Sequence, residues 1–190
     1  MSKNLIRCNW VGSAPSMIKY HDTEWGVPNY DDKKLFEFII LDTFQAGLSW
    51  AIVLNKRSGF RQAFAGFDVE KVAQFTHLDI EQQMLNSAIV RNRLKLKATV
   101  NNAQKVLEVQ KEFGSLSNYL WQFVGGKPKV NAFKNYADIP ATSQESDAMS
   151  KDMKARGFKF VGSTVCYAFC QGAGMVNDHV VDCFRYKKLL

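Results

Sequence analysis

Asp42 stands in the stretch LFEFIILDTFQAGLSW, residues 35–50, one acid among apolar and aromatic side chains. Leu35, Phe38, Ile39, Asp42 and Ala46 recur at spacings of three and four and so share one helical face, while Phe36, Ile40, Leu41 and Phe44 oil the other sides. Such a helix runs through a core and takes Asp42 with it. An isolated buried charge costs several kcal/mol or shifts its pKa upward, so the carboxyl needs a partner or a purpose. Two readings follow: a structural Asp bonded to backbone amides, the commoner fate of a buried acid, or an acceptor on the floor of a pocket. Trp50 after the helix, and Tyr20 and Trp25 before it, would supply flat walls for a planar ligand.

Thiols and imidazoles form a second set. Cys8 and His21 lie near one end of the chain, His179 and Cys183 near the other, the last two four residues apart. They are either ordinary core and surface side chains or a tetrahedral metal site. In the second case protein fills every position, and the ion is a structural staple rather than a Lewis acid. Cys166 and Cys170 sit beside Val165, Ala168 and Phe169 and are expected to pack as small apolar groups. His77, in a polar turn, is expected to be solvated.

The third set concerns phosphate. Ser146 to Arg156 reads as a helix, GFKFVG at 157–162 as a tight connection, and Ser163 to Gly172 as a second helix. Gly157 and Gly162 would let backbone amides face outward beside a helix N-terminus, with Lys154, Arg156 and Lys159 crowding the spot. A plain helix-helix turn with a basic rim would have the same pattern. With 25 Lys and Arg against 18 Asp and Glu, a net charge of +7, a grip on the DNA backbone is the favoured reading.

The elements that must position these residues are helical throughout. At 190 residues the chain is long enough for one well-covered core, a single domain over 1–190, or for two small lobes sharing a cleft. Residues 1–30 read as irregular, punctuated by Gly12, Pro15, Gly26 and Pro28. Asp31 or Asp32 caps the central helix and Gly47 ends it; a second helix starts near Ser49. Further helices are expected at about 57–65, 69–75 (opened by Asp68), 79–86 (opened by Asp79) and 90–113, the last stopped by Gly114. A short helix around Tyr119 to Phe123 ends at Gly125 and Gly126, and a loop follows over 127–143. No period-two alternation appears, so the fold class is all-α, with any hinge near 87–90 or 125–145. No apolar run suits a signal peptide or a membrane span, so a cytosolic protein is expected, whose four cysteines are thiols or ligands before they are disulfides.

Together these residues resemble the bacterial DNA-3-methyladenine glycosylase I (TAG) family of the helix-hairpin-helix glycosylases, from about Arg7 to Cys183. RCNWVG, YHDTEWGVP, KKLFE, QAGLSW, GFKFVG and NDHVVDC carry the resemblance. It implies a helix-hairpin-helix glycosylase fold and one structural Zn2+ per chain on Cys8, His21, His179 and Cys183, joining the two terminal segments. It further implies a pocket in which Tyr20, Trp25 and Trp50 bind the base and Asp42 is the catalytic acid. The implied reaction is hydrolysis of the N-glycosidic bond of 3-methyladenine in alkylated double-stranded DNA, leaving an abasic site without strand cleavage, by a monomer in the bacterial cytosol. Gly157, Lys159 and Gly162 would hold the DNA backbone.

Two positions depart from the family pattern. Asp42 stands where Glu is usual, which draws the carboxylate back by about 1.5 Å, and Met17 stands where a further pocket Tyr is often found. No general base for water is apparent: Glu37 points elsewhere on the helix, Asp22 and Glu24 have nothing to single them out, and Asp178 and Asp182 suit support of the proposed ligands. Two rival readings use the same residues. One is a helical module that binds alkylation damage without cutting; the other is a zinc-stapled domain whose basic face meets proteins or RNA.

Overall fold

The computed structural model describes residues 5–190; the first four, part of the N-terminal reading above, lie outside them. At its centre is α2 (Asp32–Gln45), in which every residue from Leu35 to Phe44 is buried. Asp31 caps it by accepting the Lys34 amide at 2.8 Å, and Gly47 turns the chain away with φ +78°. Around it pack α3 (Trp50–Asn55), α7 (Arg93–Phe113), α8 (Leu116–Trp121) and α10 (Ser163–Gly172). Leu35, Phe36, Ile40, Leu41 and Phe44 are fully buried, each stabilising the fold by roughly 1.5–3 kcal/mol. Asp32 faces outward and binds the amides of Leu116 and Ser117, both at 2.8 Å, so the first turn of α2 also caps α8.

Glu37 is the other buried acid of α2. Arg57 and Arg61, from α4 (Arg57–Ala63), reach it at 2.9 and 2.7 Å, and Lys34 at 3.1 Å. Burial alone would raise its pKa; the guanidinium groups outweigh that and hold it at about 2. It is a structural clamp between helices.

Three local expectations are corrected. Residues 1–30 are not all irregular, since α1 (Pro15–Thr23) lies there; Pro15 occupies its first turn, where the missing N–H is no loss, and so starts a helix rather than breaking one. α6 (His77–Leu85) is opened by Thr76, with Asp79 three residues on closing a capping box at 2.7 Å. The chain is mostly but not wholly helical: β1 (Lys129–Val130) pairs in parallel with β2 (Val176–Asn177), Lys129 N–H donating to Met175 O at 2.9 Å. Two-residue strands are too short for alternation to mark in the sequence. The expected helices at 57–65, 69–75 and 90–113 appear as α4, α5 (Val69–Ala73, capped by Asp68) and α7, which Asn92 caps and Gly114 ends.

α9 (Gln144–Ala155) and α10 form the expected helical hairpin. Gly157 takes φ +91°, while Phe158 and Val161 of the connection are buried. After α10, Gly174 at φ +69° lies so close to Val27 that a Cβ would sit 2.2 Å from its carbonyl carbon. This contact seats the C-terminal segment beside Trp25. Among the described residues no helix is long and apolar enough to cross a membrane.

Candidate active site and metal centre

Asp42 lies at the floor of a cavity of about 370 Å³ whose walls include Trp10, Met17, Tyr20, Trp25 and Trp50. Asp42 is 6 % exposed, and among the described residues no donor reaches its carboxylate; burial raises its pKa well above the ordinary carboxylate range. Behind it is an apolar hollow of only about 10 Å³, lined by Ile39, Met149, Met153, Val161, Val165, Cys166 and Phe169. That hollow scarcely admits a water and offers it few polar partners. Asp42 is therefore backed by hydrocarbon and open only toward the cavity.

The aromatic walls come from three elements. Tyr20 projects from α1, Trp50 is the first residue of α3, and Trp10 and Trp25 flank α1 in the chain. Tyr20 and Trp50 have ring centroids 5.1 Å apart at 48°, Trp10 and Trp25 5.0 Å apart at 70°. The Trp50 indole N–H is buried and has no partner among the described residues. Burial, then the charge of Asp42, raises the Tyr20 hydroxyl's pKa well above the ordinary value, so it stays a neutral donor. Among the described residues no Lys or Arg lines the cavity. A carboxylate, unpartnered donors and π faces suit a planar, cationic ligand with acceptors on its edge.

Tyr20, Trp25, Trp50 and Asp42 are thus brought together as the sequence reading expects. Trp10, two residues after Cys8, escaped that reading, and Gln45, Ser49, Tyr136 and Gln171 line the cavity as well. Lys95 was missed too. Buried on α7, it donates to the Phe44 carbonyl at 2.9 Å and to that of Ala46, satisfying the end of α2 one turn beyond Asp42.

Cys8, His21, His179 and Cys183 are all buried, with candidate ligand atoms within 4.8 Å of one another. Cys183 Sγ lies 3.4 Å from His21 Nε2 and 3.4 Å from His179 Nδ1; Cys8 Sγ lies 3.6 Å from His179 Nδ1. A tetrahedral ion with Zn–S near 2.3 Å and Zn–N near 2.0 Å would set sulfur and nitrogen about 3.5 Å apart, so the donors fit. The outer ring nitrogens are also tied, His21 Nδ1 to Asp22 at 2.8 Å and His179 Nε2 to the Trp25 carbonyl at 3.0 Å. Asp22 is in turn bonded by Arg7 at 2.7 Å.

That arrangement corrects the assignment of Asp178 and Asp182 as supports of the metal ligands. Asp178 accepts from Tyr167 at 2.7 Å, Gln171 at 2.8 Å and Asn131 at 2.7 Å, and the exposed Asp182 bonds no ligand. The supporting carboxylate is Asp22, adjacent to His21 in sequence. With Asp22 so engaged, Glu24 bonded to Arg57 and Lys34, and Glu37 clamped, none of these acids is free to activate water. Cys166 and Cys170 are buried free thiols, and His77 is largely exposed with Glu81 at 3.3 Å, both as expected.

The hairpin carries two corrections. Lys159 is exposed, but Arg156 is spent on Glu112 at 2.7 Å and Asp152 at 2.6 Å and lies over Phe113, so it is not part of a phosphate grip. The Lys159 amide donates to Asn102 Oδ1 at 2.8 Å, and Asn101 binds the Gly157 carbonyl at 2.9 Å. The Gly157 amide donates to the Lys154 carbonyl at 3.0 Å, so Gly157 turns the chain but offers no donor to a phosphate, and what faces outward is the Lys159 side chain and the start of α10 after Gly162.

A family model described as methyladenine glycosylase matches residues 10–186. The chain is 48 % identical over 177 residues to the DNA-3-methyladenine glycosylase of Haemophilus influenzae, covering 93 % of this chain and 96 % of that one. It is 46 % identical over 180 residues to DNA-3-methyladenine glycosylase 1 of Escherichia coli, covering 95 % and 96 %. A crystal structure of a tyrosine-to-phenylalanine variant of 3-methyladenine DNA glycosylase I in complex with 3-methyladenine aligns with a TM-score of 0.91 at 39 % identity, over 94 % of this chain and 96 % of that one.

Proposed function

The chain belongs to the methyladenine glycosylase family, and we infer from that membership and from the cavity that it is a DNA-3-methyladenine glycosylase, hydrolysing the N-glycosidic bond of the damaged base and leaving an abasic site. The observation that carries the residue roles is Asp42, an acid without a partner among the described residues, backed by hydrocarbon and fronted by a π-walled cavity. Methylation at N3 makes adenine cationic and weakens its bond to the sugar. Trp25 and Trp50 stack on the electron-poor ring, and Asp42 accepts from its exocyclic amine and stabilises its charge until the bond breaks. Water then adds to the sugar carbon, its proton goes to solvent, and the base departs neutral with the bonding electrons. Since the lesion supplies much of the activation, a dedicated base for water is not required.

The hairpin holds double-stranded DNA through the Lys159 side chain and the backbone that follows Gly162 while the nucleotide turns out of the stack, which costs least for a damaged pair. Cys8, His21, His179 and Cys183 hold one structural Zn2+, a reading supported by the sulfur–nitrogen spacings and by the carboxylate and carbonyl behind the two histidines. The protein acts as a single-domain monomer in the cytosol. The test is chromatography of bases released from methylated DNA. Steady turnover to free 3-methyladenine is expected, with no adduct trapped by borohydride; tight binding to damaged DNA without release overturns the catalytic roles.

A further inference from the structure

One ring of the cavity belongs to none of the elements that build its floor and walls. Tyr136 comes from the loop between α8 and α9, in a single 3-10 turn at Tyr136–Asp138. It lines the cavity with Asp42 and Trp50 although 49 % of it is exposed. Tyr20 and Trp25, by contrast, are buried and fixed by neighbouring rings. A half-wet ring at the mouth of a π-walled cavity has one face left to cover, and a planar ligand is what the cavity admits.

Its backbone is not free to swing. The turn closes on itself through Asn135 N–H to Asp138 at 3.1 Å, and the Asn135 side-chain amide reaches the same oxygen. Upstream, the Phe133 carbonyl accepts from Val181 N–H at 3.0 Å, and the Asn131 side chain reaches Asp178 at 2.7 Å. The loop is thus laced to the segment carrying His179 and Cys183, and the ring stands ready before any ligand arrives.

We propose that Tyr136 is a base-contacting residue, the preformed outer wall that covers the flipped base opposite the buried rings and sets how tightly it is held. The proposal rests on the cavity being the base pocket. Stacking of one base on one aromatic side chain is large enough for its loss to be read directly.

The experiment titrates free 3-methyladenine into the protein by tryptophan fluorescence, for wild type and for Tyr136→Phe, Tyr136→Leu and Tyr136→Ala, with melting temperature and undamaged-DNA affinity measured alongside. Phe is expected to bind as wild type, and Leu and Ala about tenfold more weakly, with the other two readouts unmoved. Leu binding as tightly as wild type overturns the assignment even if Ala disturbs the loop. Wild type that fails to bind the base overturns the pocket reading and this assignment together; wild-type binding with undiminished Leu and Ala variants overturns this assignment alone.

Discussion

At Asp42 folding and function pull in opposite directions. Burial raises its folded-state pKa above the ordinary value of 3.8, so its favourable contribution to stability is complete below that pH and is lost as pH rises through the folded value. At neutral pH the wild type carries the cost of a buried, unpaired acid, and a cationic base repays it by supplying the missing charge. Asp42→Asn should therefore melt higher than wild type at pH 7, by on the order of 1 kcal/mol, and converge with it near pH 3. The same variant should excise 3-methyladenine about a hundredfold more slowly. Binding of the cationic base should strengthen with pH in the wild type, as the acid ionises, and stay flat in the variant. Melting curves and single-turnover base release at several pH values check this; an asparagine variant that is both less stable and fully active would remove Asp42 from the site.

At the scale of elements, the hairpin divides its basic residues by task. Arg156 locks α9 against α7 through Glu112 and stacks over Phe113, whereas Lys159 has an exposed side chain on a backbone fixed by Asn102. Lys159→Ala should weaken binding to damaged and undamaged DNA alike and reduce the salt-dependence slope by about 1, leaving affinity for the free base unchanged. A loss confined to damaged DNA would argue instead for a role at the pocket. This division also marks where sequence reading stops. The hairpin, the central helix and its cap were legible because each is written within a few residues: glycine punctuation, three-and-four spacing, an Asp before the first turn. Arg156 reads like its lysine neighbours because, beside Asp152 one turn back, the partner that ties it to α7 is 44 residues away. α1 was hidden by Pro15, which is as good a first-turn residue as a breaker, and with it the common origin of Tyr20 and His21. Lys95 and Tyr136 reach the site from distant segments, and no local period could announce them.

Across the whole molecule the two chain ends meet at the Cys and His cluster, and the pocket is built on that junction. His21 follows Tyr20 on α1, and Trp25 packs edge-on against His179 with centroids 4.6 Å apart. Whatever fixes the two histidines therefore also fixes two walls of the base pocket. If one zinc ion does so, as proposed, metal analysis of the purified protein should give one equivalent per chain, and Cys183→Ser should lose it. Without the ion the cluster is left with buried imidazoles and thiols that only partly satisfy one another. The expected cost is about 3 kcal/mol, or roughly 10 °C in Tm. Because Tyr20 and Trp25 would loosen with it, affinity for free 3-methyladenine should fall as well. The Lys159 face of the hairpin, built on α9, α10 and Asn102, should keep its affinity for undamaged DNA. Loss of base binding with retained DNA binding would place the cluster as the brace of the pocket; a zinc-free Cys183→Ser protein that melts and binds base like wild type would show that the junction stands without it.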